Sequence, residues 1–475
     1  MTVSKDILAN SGIKFGTSGA RGLVDQFTDQ VCSAFTLAFV EVMKNSFDFD
    51  RVAIAIDRRP SSPDMAVACA SALGSIGIEV DYYGIIPTPA LALKAMQDGV
   101  PAIMVTGSHI PFDRNGLKFY RPDGEIEKSD ELSILQSKTE VTGIETIQLV
   151  ESLEAKQLYL DRYTRLFPSD LLSGKKIGVY EHSAAGRDLN ISVLEALGAE
   201  VISLGKTETF VPIDTEAVSV EDQQQALEWA RQYGLDCIFS TDGDGDRPLI
   251  ADEKGNWLRG DILGLLCANG LNIQALAVPV SCNSAIDKLG VFNEVRRTRI
   301  GSPYVIEEMQ ALASDKGYER VAGFEANGGF LLQTALIVNG ENLVALPTRD
   351  ALLPALIVIA KSSQVGCGIS QLVTELPQRY TGSDRLKEFP TEKSKALLTG
   401  WEKDLAQLST DLSIESEIVD VNTTDGLRLT LGNGDIVHLR PSGNAPEFRC
   451  YAESDSQQKA ILMVENTLGQ LACLR

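Results

Sequence analysis

Apolar and polar positions along the chain repeat one phrase three times: an apolar strand, a polar loop, a helix with one apolar face, and a second strand. From residue 51 the phrase reads RVAIAID, RRPSSPD, MAVACASALGSIG, IEVDYYG. Residues 175–205 repeat it as KKIGVYE, HSAAGRD, LNISVLEALG and AEVISLG. Residues 272–298 give a looser copy, QALAVPVS, NSAIDKLG and FNEVRRT. Strands alternating with helices predict α/β layers with partly parallel sheets, and three copies predict a repeated domain. The tail has a different rhythm. Residues 413–430 and 434–453 alternate as β pairs about turns at Asp425-Gly426 and Asn433-Gly434, with helices expected over 391–408 and 456–474. This predicts a separate, smaller α+β domain.

Composition sharpens the picture in three ways. A chain of 475 residues exceeds one hydrophobic core and predicts three or four domains. Its 43 Lys+Arg against 65 Asp+Glu give a net charge of −22, which repels nucleic acid and anionic membranes. Neither is an expected partner, and any phosphate site has to be a local cluster of Arg, Lys and backbone amides. The eight cysteines are scattered, with no C-x-x-C pair, as expected of reduced, mostly buried thiols. The start, MTVSKDILANSGIKFG, has no apolar signal core. The most apolar run, 351–360, falls short of the roughly 20 residues that span a bilayer. The expected location is cytoplasmic.

Four loops carry candidate chemistry. Thr106-Gly107-Ser108-His109-Ile110-Pro111 follows an apolar strand, and a second strand over 116–121 returns from it. The glycine lets an anionic group approach the backbone beside Ser108, and His109 can donate to it. Taken alone, the loop reads first as an ordinary turn. Lys118, on the returning strand, faces away from Leu117 and Phe119, into solvent or a cleft. The second loop is Asp242-Gly243-Asp244-Gly245-Asp246-Arg247, between strands Cys237–Thr241 and Pro248–Ala251. Three carboxylates alternating with glycine can converge on one hard cation and leave it open positions, as Mg²⁺ prefers. A solvated acidic hairpin is the alternative, although crowded carboxylates call for a counter-ion. Glu325 and Asn327, in GFEANGG after a strand at 320–322, can pair with sugar hydroxyls or make a plain turn. Arg440 and Arg449 bracket Ser442 and Asn444 in RPSGNAPEFR, a phosphate cradle or a charged hairpin.

In order and spacing, FGTSGARG, TGSHIPFDRNGLKFY, TDGDGDRP, GFEANGG and RPSGNAPEFRCYAES resemble the α-D-phosphohexomutase superfamily over residues 15–454. IPTP and TRIGSPYVIEEM are similar to further family segments. The resemblance implies four domains round a central cleft, three similar α/β domains with mixed sheets and a C-terminal α+β domain. The expected bounds are 1–150 (phosphoserine), 151–257 (metal), 258–370 (sugar) and 371–475 (phosphate). It implies a phosphorylated Ser108 that binds Mg²⁺ together with Asp242, Asp244 and Asp246. Arg21, His109, Lys118 and Arg247 would serve phosphoryl transfer. Glu325 and Asn327 would hold the sugar, and Arg440, Ser442, Asn444 and Arg449 the non-reacting phosphate. Three departures stand out: Gly107 and Ile110 in place of Ala and Asn, Asn327 in place of Ser, and Ser442-Gly-Asn444-Ala445-Pro446 in place of S-G-T-E-P.

The expected activity is interconversion of hexose 6-phosphate and hexose 1-phosphate through a bisphosphate, with hexose 1,6-bisphosphate as activator and mannose as the first choice of sugar. Lys118 would act as base. The alternatives are a phosphoglucomutase, a phosphoglucosamine or N-acetylhexosamine mutase, a metal-dependent sugar phosphatase, and a non-catalytic sensor. The expected partner is a phosphosugar, and the expected assembly a monomer or homodimer.

Overall fold

The computed structural model describes residues 3–16, 19–141, 145–442 and 446–474. The threefold phrase is visible as topology. In the first unit, Arg51–Ile56 pairs in parallel with Glu79–Ile85 on one side and Ala102–Val105 on the other. Arg114–Arg121 then adds antiparallel to Ala102–Val105. The second unit repeats this order. Lys176–Tyr180 lies parallel to Glu200–Leu204 and Cys237–Thr241, and Pro248–Ala251 is antiparallel to Cys237–Thr241. The third places Ala275–Pro279 parallel to Glu294–Thr298 and Val321–Phe324, with Phe330–Leu332 antiparallel beyond. The central parallel strand of each unit is almost wholly buried, as expected of sheets covered by helices on both faces.

This order decides where the chemistry sits. In all three units the candidate loop joins the last parallel strand to its antiparallel neighbour, so Ser108, the Asp242–Asp246 run and Glu325 occupy equivalent sheet positions. The fourth unit is an antiparallel sheet with Tyr380–Leu386 at one edge and Ile418–Asn422 at the other. Its loop between Ile436–Pro441 and Phe448–Ser454 is again a strand-to-antiparallel-strand connection. Three α/β units and a smaller α+β unit match the expected fold class.

The details differ in four places. The third-copy helix is a single turn, Ala285–Lys288, because the segment ends at Gly290 in a left-handed conformation. Strand Val321–Phe324 runs further than expected, so Glu325 leaves directly from its end. The helix expected over 391–408 is two, Thr391–Lys403 and Leu405–Asp411. Asp404 breaks it at φ −138° and caps the second piece by accepting from the Gln407 amide. Strand Tyr380–Leu386 is absent from the pattern of apolar positions because the polar run Gly-Ser-Asp-Arg obscures its alternation. The cysteines are free thiols, mostly buried. Among the described residues, no helix is long and apolar enough to cross a membrane.

Candidate active site

Ser108 lies in the turn that follows Ala102–Val105 and is fully buried, with φ +50°, a left-handed conformation uncommon outside glycine. Its Oγ donates to Asp242 Oδ2 at 2.7 Å and lies 3.3 Å from His109 Nδ1. Arg247 Nη1 lies 3.0 Å from the same Nδ1. Arginine can only donate, so Nδ1 accepts and the imidazole proton sits on Nε2. Burial, with the Arg247 cation adding to it, pushes the pKa of His109 down to about 3.

Lys118 settles the alternative left open by alternation: it points into the molecule. Its Nζ donates to Asp244 Oδ2 at 2.5 Å and Asp246 Oδ2 at 2.7 Å, so one ammonium from the first unit ties two carboxylates of the second. Thr88 Oγ1 also donates to Asp244 Oδ2, at 2.7 Å. Ligand atoms of Asp242, Asp244 and Asp246 all lie within 4.8 Å of one another, and the three residues are buried. Burial acts to raise the pKa of all three carboxyls, and cations offset it unequally. Lys118 leaves Asp244 below the usual range, and Arg349, Lys118 and Arg247 together hold Asp246 far below it. Asp242, pressed by burial and by the two other carboxylates, stays raised.

The sugar loop joins this network through a residue that sequence reasoning missed. Arg349 Nε donates to Asp246 Oδ2 at 3.0 Å, and its Nη1 to Glu325 Oε2 at 3.1 Å and to Ser302 Oγ at 3.2 Å. No motif marks Arg349; Thr88 and Ser302, by contrast, lie in the IPTP and TRIGSPYVIEEM segments. Asn327 Nδ2 reaches Glu325 Oε2 at 3.5 Å, and its Oδ1 accepts from the Gly329 amide. Arg21 stands on strand Ala20–Leu23, paired with Gly116. Burial and then the Arg247 and Arg349 cations lower its pKa to about 10.

Ser108, His109, Lys118, the three aspartates, Arg247 and Glu325 thus form one continuous polar cluster drawn from three units. The phosphate-cradle residues keep to the fourth. Arg440 and Arg449 face each other across the two strands. Arg440 Nε donates to Asp425 Oδ1 at 2.9 Å, and Arg449 Nη2 lies 3.5 Å from Glu447 Oε2. Ser442 is buried and its amide donates to the Glu447 carbonyl. Asn444 lies outside the described residues.

Known proteins share the four units of this chain. Phosphoglucomutase/phosphomannomutase alpha/beta/alpha domains I, II and III match residues 12–143, 157–255 and 259–380, and the C-terminal domain of that family matches 383–467. A phosphomannomutase of Salmonella muenchen is 55% identical over 98% of this chain and 97% of its own. The chain belongs to the phosphoglucomutase/phosphomannomutase family. It is a phosphohexomutase, an intramolecular phosphotransferase. A phosphomannomutase of Sinorhizobium fredii is 42% identical over 97% of this chain and 99% of its own. The crystal structure of a putative phosphomannomutase from Thermus thermophilus shares the fold, with a TM-score of 0.77 at 20% identity, covering 97% of this chain and 99% of that one.

In this mutase the aspartate cluster fits a divalent cation. Asp244 Oδ1 and Asp246 Oδ1 are buried carboxylate oxygens with no hydrogen-bond donor. A buried acceptor without a hydrogen bond is costly, and here two converge beside Asp242, with the Arg247 guanidinium 3.7 Å from Asp246 Oδ1. A hard, oxygen-seeking cation is the species that such a donor set can hold.

Proposed function

We propose that the chain interconverts mannose 6-phosphate and mannose 1-phosphate with Mg²⁺, through a phosphorylated Ser108 and mannose 1,6-bisphosphate. The reading rests on the Ser108 Oγ–Asp242 contact of 2.7 Å beside two orphaned aspartate oxygens, which joins a nucleophile to a cation site. The choice of sugar is supported by likeness to relatives named phosphomannomutase. Mg²⁺ on Asp242, Asp244, Asp246 and a phosphoserine oxygen would neutralise charge on the moving phosphoryl group.

The chain's own residues do the rest. A sugar hydroxyl attacks phosphorus, the bond from phosphorus to the serine oxygen breaks, and the hydroxyl proton ends on that oxygen; Lys118 can relay it only as the neutral amine, not as the ammonium that ties Asp244 to Asp246. Arg21, His109 and Arg247 line the phosphoryl group, while Glu325 and Asn327 hold sugar hydroxyls. Arg440, Ser442, Asn444 and Arg449 grip the phosphate that is not reacting. The bisphosphate turns round and its other phosphate returns to Ser108; added hexose 1,6-bisphosphate activates by rephosphorylating the serine. In this reading residues 1–150, 151–257, 258–370 and 371–475 supply phosphoserine, metal, sugar and phosphate sites, in a cytoplasmic enzyme.

A panel of the 1-phosphates of mannose, glucose, glucosamine and N-acetylglucosamine tests the reading, with inorganic phosphate followed in parallel. Preferential conversion of the mannose compound is expected. A preference for another sugar overturns the substrate, and net phosphate release overturns the mutase mechanism.

A further inference from the structure

The polar loop after Arg51–Ile56 holds two consecutive arginines that face opposite ways. Arg58 turns to the second unit, its Nε donating to the Ala184 carbonyl at 3.1 Å and its Nη2 to Asp188 Oδ2 at 2.6 Å. Arg59 turns inward and is 2% exposed. Residues 108–114 are wound round its guanidinium. Nη2 donates to the carbonyls of Ser108 (3.0 Å) and Ile110 (2.6 Å), and Nη1 to those of Pro111 (2.9 Å) and Arg114 (2.7 Å). Phe210 of the second unit stacks on the guanidinium, its ring centroid 3.9 Å away.

Two features say what this arrangement is for. The left-handed conformation of Ser108, at φ +50°, is one that a non-glycine residue keeps only when its surroundings over-determine it. The Arg59 bond to the Ser108 carbonyl does this from one side, and the Thr106 hydroxyl, accepting from the Ser108 amide at 2.8 Å, from the other. The charge of Arg59 is meanwhile answered by Asp57, whose Oδ2 lies 3.3 Å from Nε. The guanidinium therefore offers geometry rather than a free positive charge. Gly107 completes the fit, because a Cβ there would come 2.5 Å from Arg59 Cζ and 2.6 Å from Nε. The glycine that departs from the family's usual alanine is what leaves room for the arginine.

We propose that Arg59 is a positioning residue for phosphoryl transfer: by gathering the carbonyls of residues 108–114, it holds Ser108 in the conformation that aims Oγ at Asp242. The proposal rests on Ser108 being the phosphoryl carrier. Lysine, with a single nitrogen, cannot span four carbonyls, so Arg59→Lys does not substitute. Gly107→Ala disturbs the same guanidinium without removing any charge.

The experiment measures single-turnover phosphorylation of Ser108 by glucose 1,6-bisphosphate, with intact mass as readout, alongside kcat and KM for mannose 1-phosphate. Misplacement by about 1 Å costs about 10²-fold. Arg59→Lys, Arg59→Gln and Gly107→Ala should lower phosphorylation rate and kcat by about that factor with KM little changed. Gly107→Ala should add little in the Arg59→Gln background. Thermal melting follows folding, and Gly107→Ala carries the test should the Arg59 variants not fold. Phosphorylation at the wild-type rate in Gly107→Ala and any folded Arg59 variant, or a loss confined to KM, overturns the positioning role while wild-type Ser108 still takes up phosphate. A wild-type serine that takes up none overturns the phosphoserine reading, and the positioning role with it.

Discussion

Two side chains make the site's electrostatics testable one residue at a time. Ser108 makes its side-chain bond to Asp242 without supporting any strand, so Ser108→Ala should remain folded. Mutase activity should fall by several orders of magnitude, since a nucleophile cannot be replaced by positioning alone. Near-normal turnover would remove the phosphoserine route. Lys118 is the ammonium shared by Asp244 and Asp246. Lys118→Met should cost about 3–5 kcal/mol of stability in chelator, the usual penalty for orphaning buried charge, and Mg²⁺ should recover much of it. Urea midpoints with EDTA and with Mg²⁺ check this; equal loss in both would mean that the aspartates hold no cation. The aspartate loop could be read from letters because it is complete within a few residues, whereas the Ser108 loop, an ordinary turn taken alone, became legible only through its resemblance to the superfamily. Arg349 was legible by neither route, since its contacts with Asp246 and Glu325 come from a strand whose own letters, Leu-Pro-Thr-Arg-Asp, look ordinary.

Among the elements, the hairpin formed by Ile436–Pro441 and Phe448–Ser454 presents two arginines that already have carboxylate partners. Asp425 does more than neutralise Arg440: its Oδ2 also accepts from the Ile300 amide at 3.0 Å, tying the fourth unit to the third. An incoming phosphate has to compete for that guanidinium. A charge-assisted Arg–phosphate contact is worth about 1.5–3 kcal/mol, or about 10- to 150-fold in affinity. Arg440→Ala should raise KM for the phosphosugar by that factor, leave Ser108 phosphorylation possible, and increase the need for added bisphosphate as intermediate escapes. Unchanged KM and an unchanged bisphosphate requirement would reduce the loop to a charged hairpin.

Across the whole molecule, two buried histidines in different units predict an acid-sensitive fold. His182 Nε2 donates to the Thr241 carbonyl at 2.9 Å, and His438 Nε2 to the Asp425 carbonyl at 2.6 Å; facing a carbonyl, each Nε2 carries the proton. Burial lowers both pKa values from 6.5 to about 4. The unfolded chain takes up these protons as pH falls below 6.5, the folded chain only near 4, so the stabilisation is complete above 6.5 and is lost on acidification. At pH 5 the loss should be about 2 kcal/mol for each histidine. Thermal midpoints between pH 5 and 7 check it, and His438→Gln should flatten its share of the slope; an unchanged slope would remove His438 as a cause.

What the sequence determined by itself is local. Strand and helix periods within about ten residues specify three copies of one sheet order, and Asp-Gly-Asp-Gly-Asp brings three carboxylates together because alternate residues of a tight turn are never far apart. Only the tertiary structure decided which charges answer them. Lys118 meets Asp244 and Asp246 across 126 and 128 residues, and Arg349 meets Asp246 across 103. It also decided that Arg59, read as part of a polar loop, lies beneath the serine, and that Arg440 is held by Asp425. The physical reason is that periodicity is written into neighbouring residues, whereas a buried charge is stabilised by whichever counter-charge the crossing strands bring near, and a charged letter carries no address.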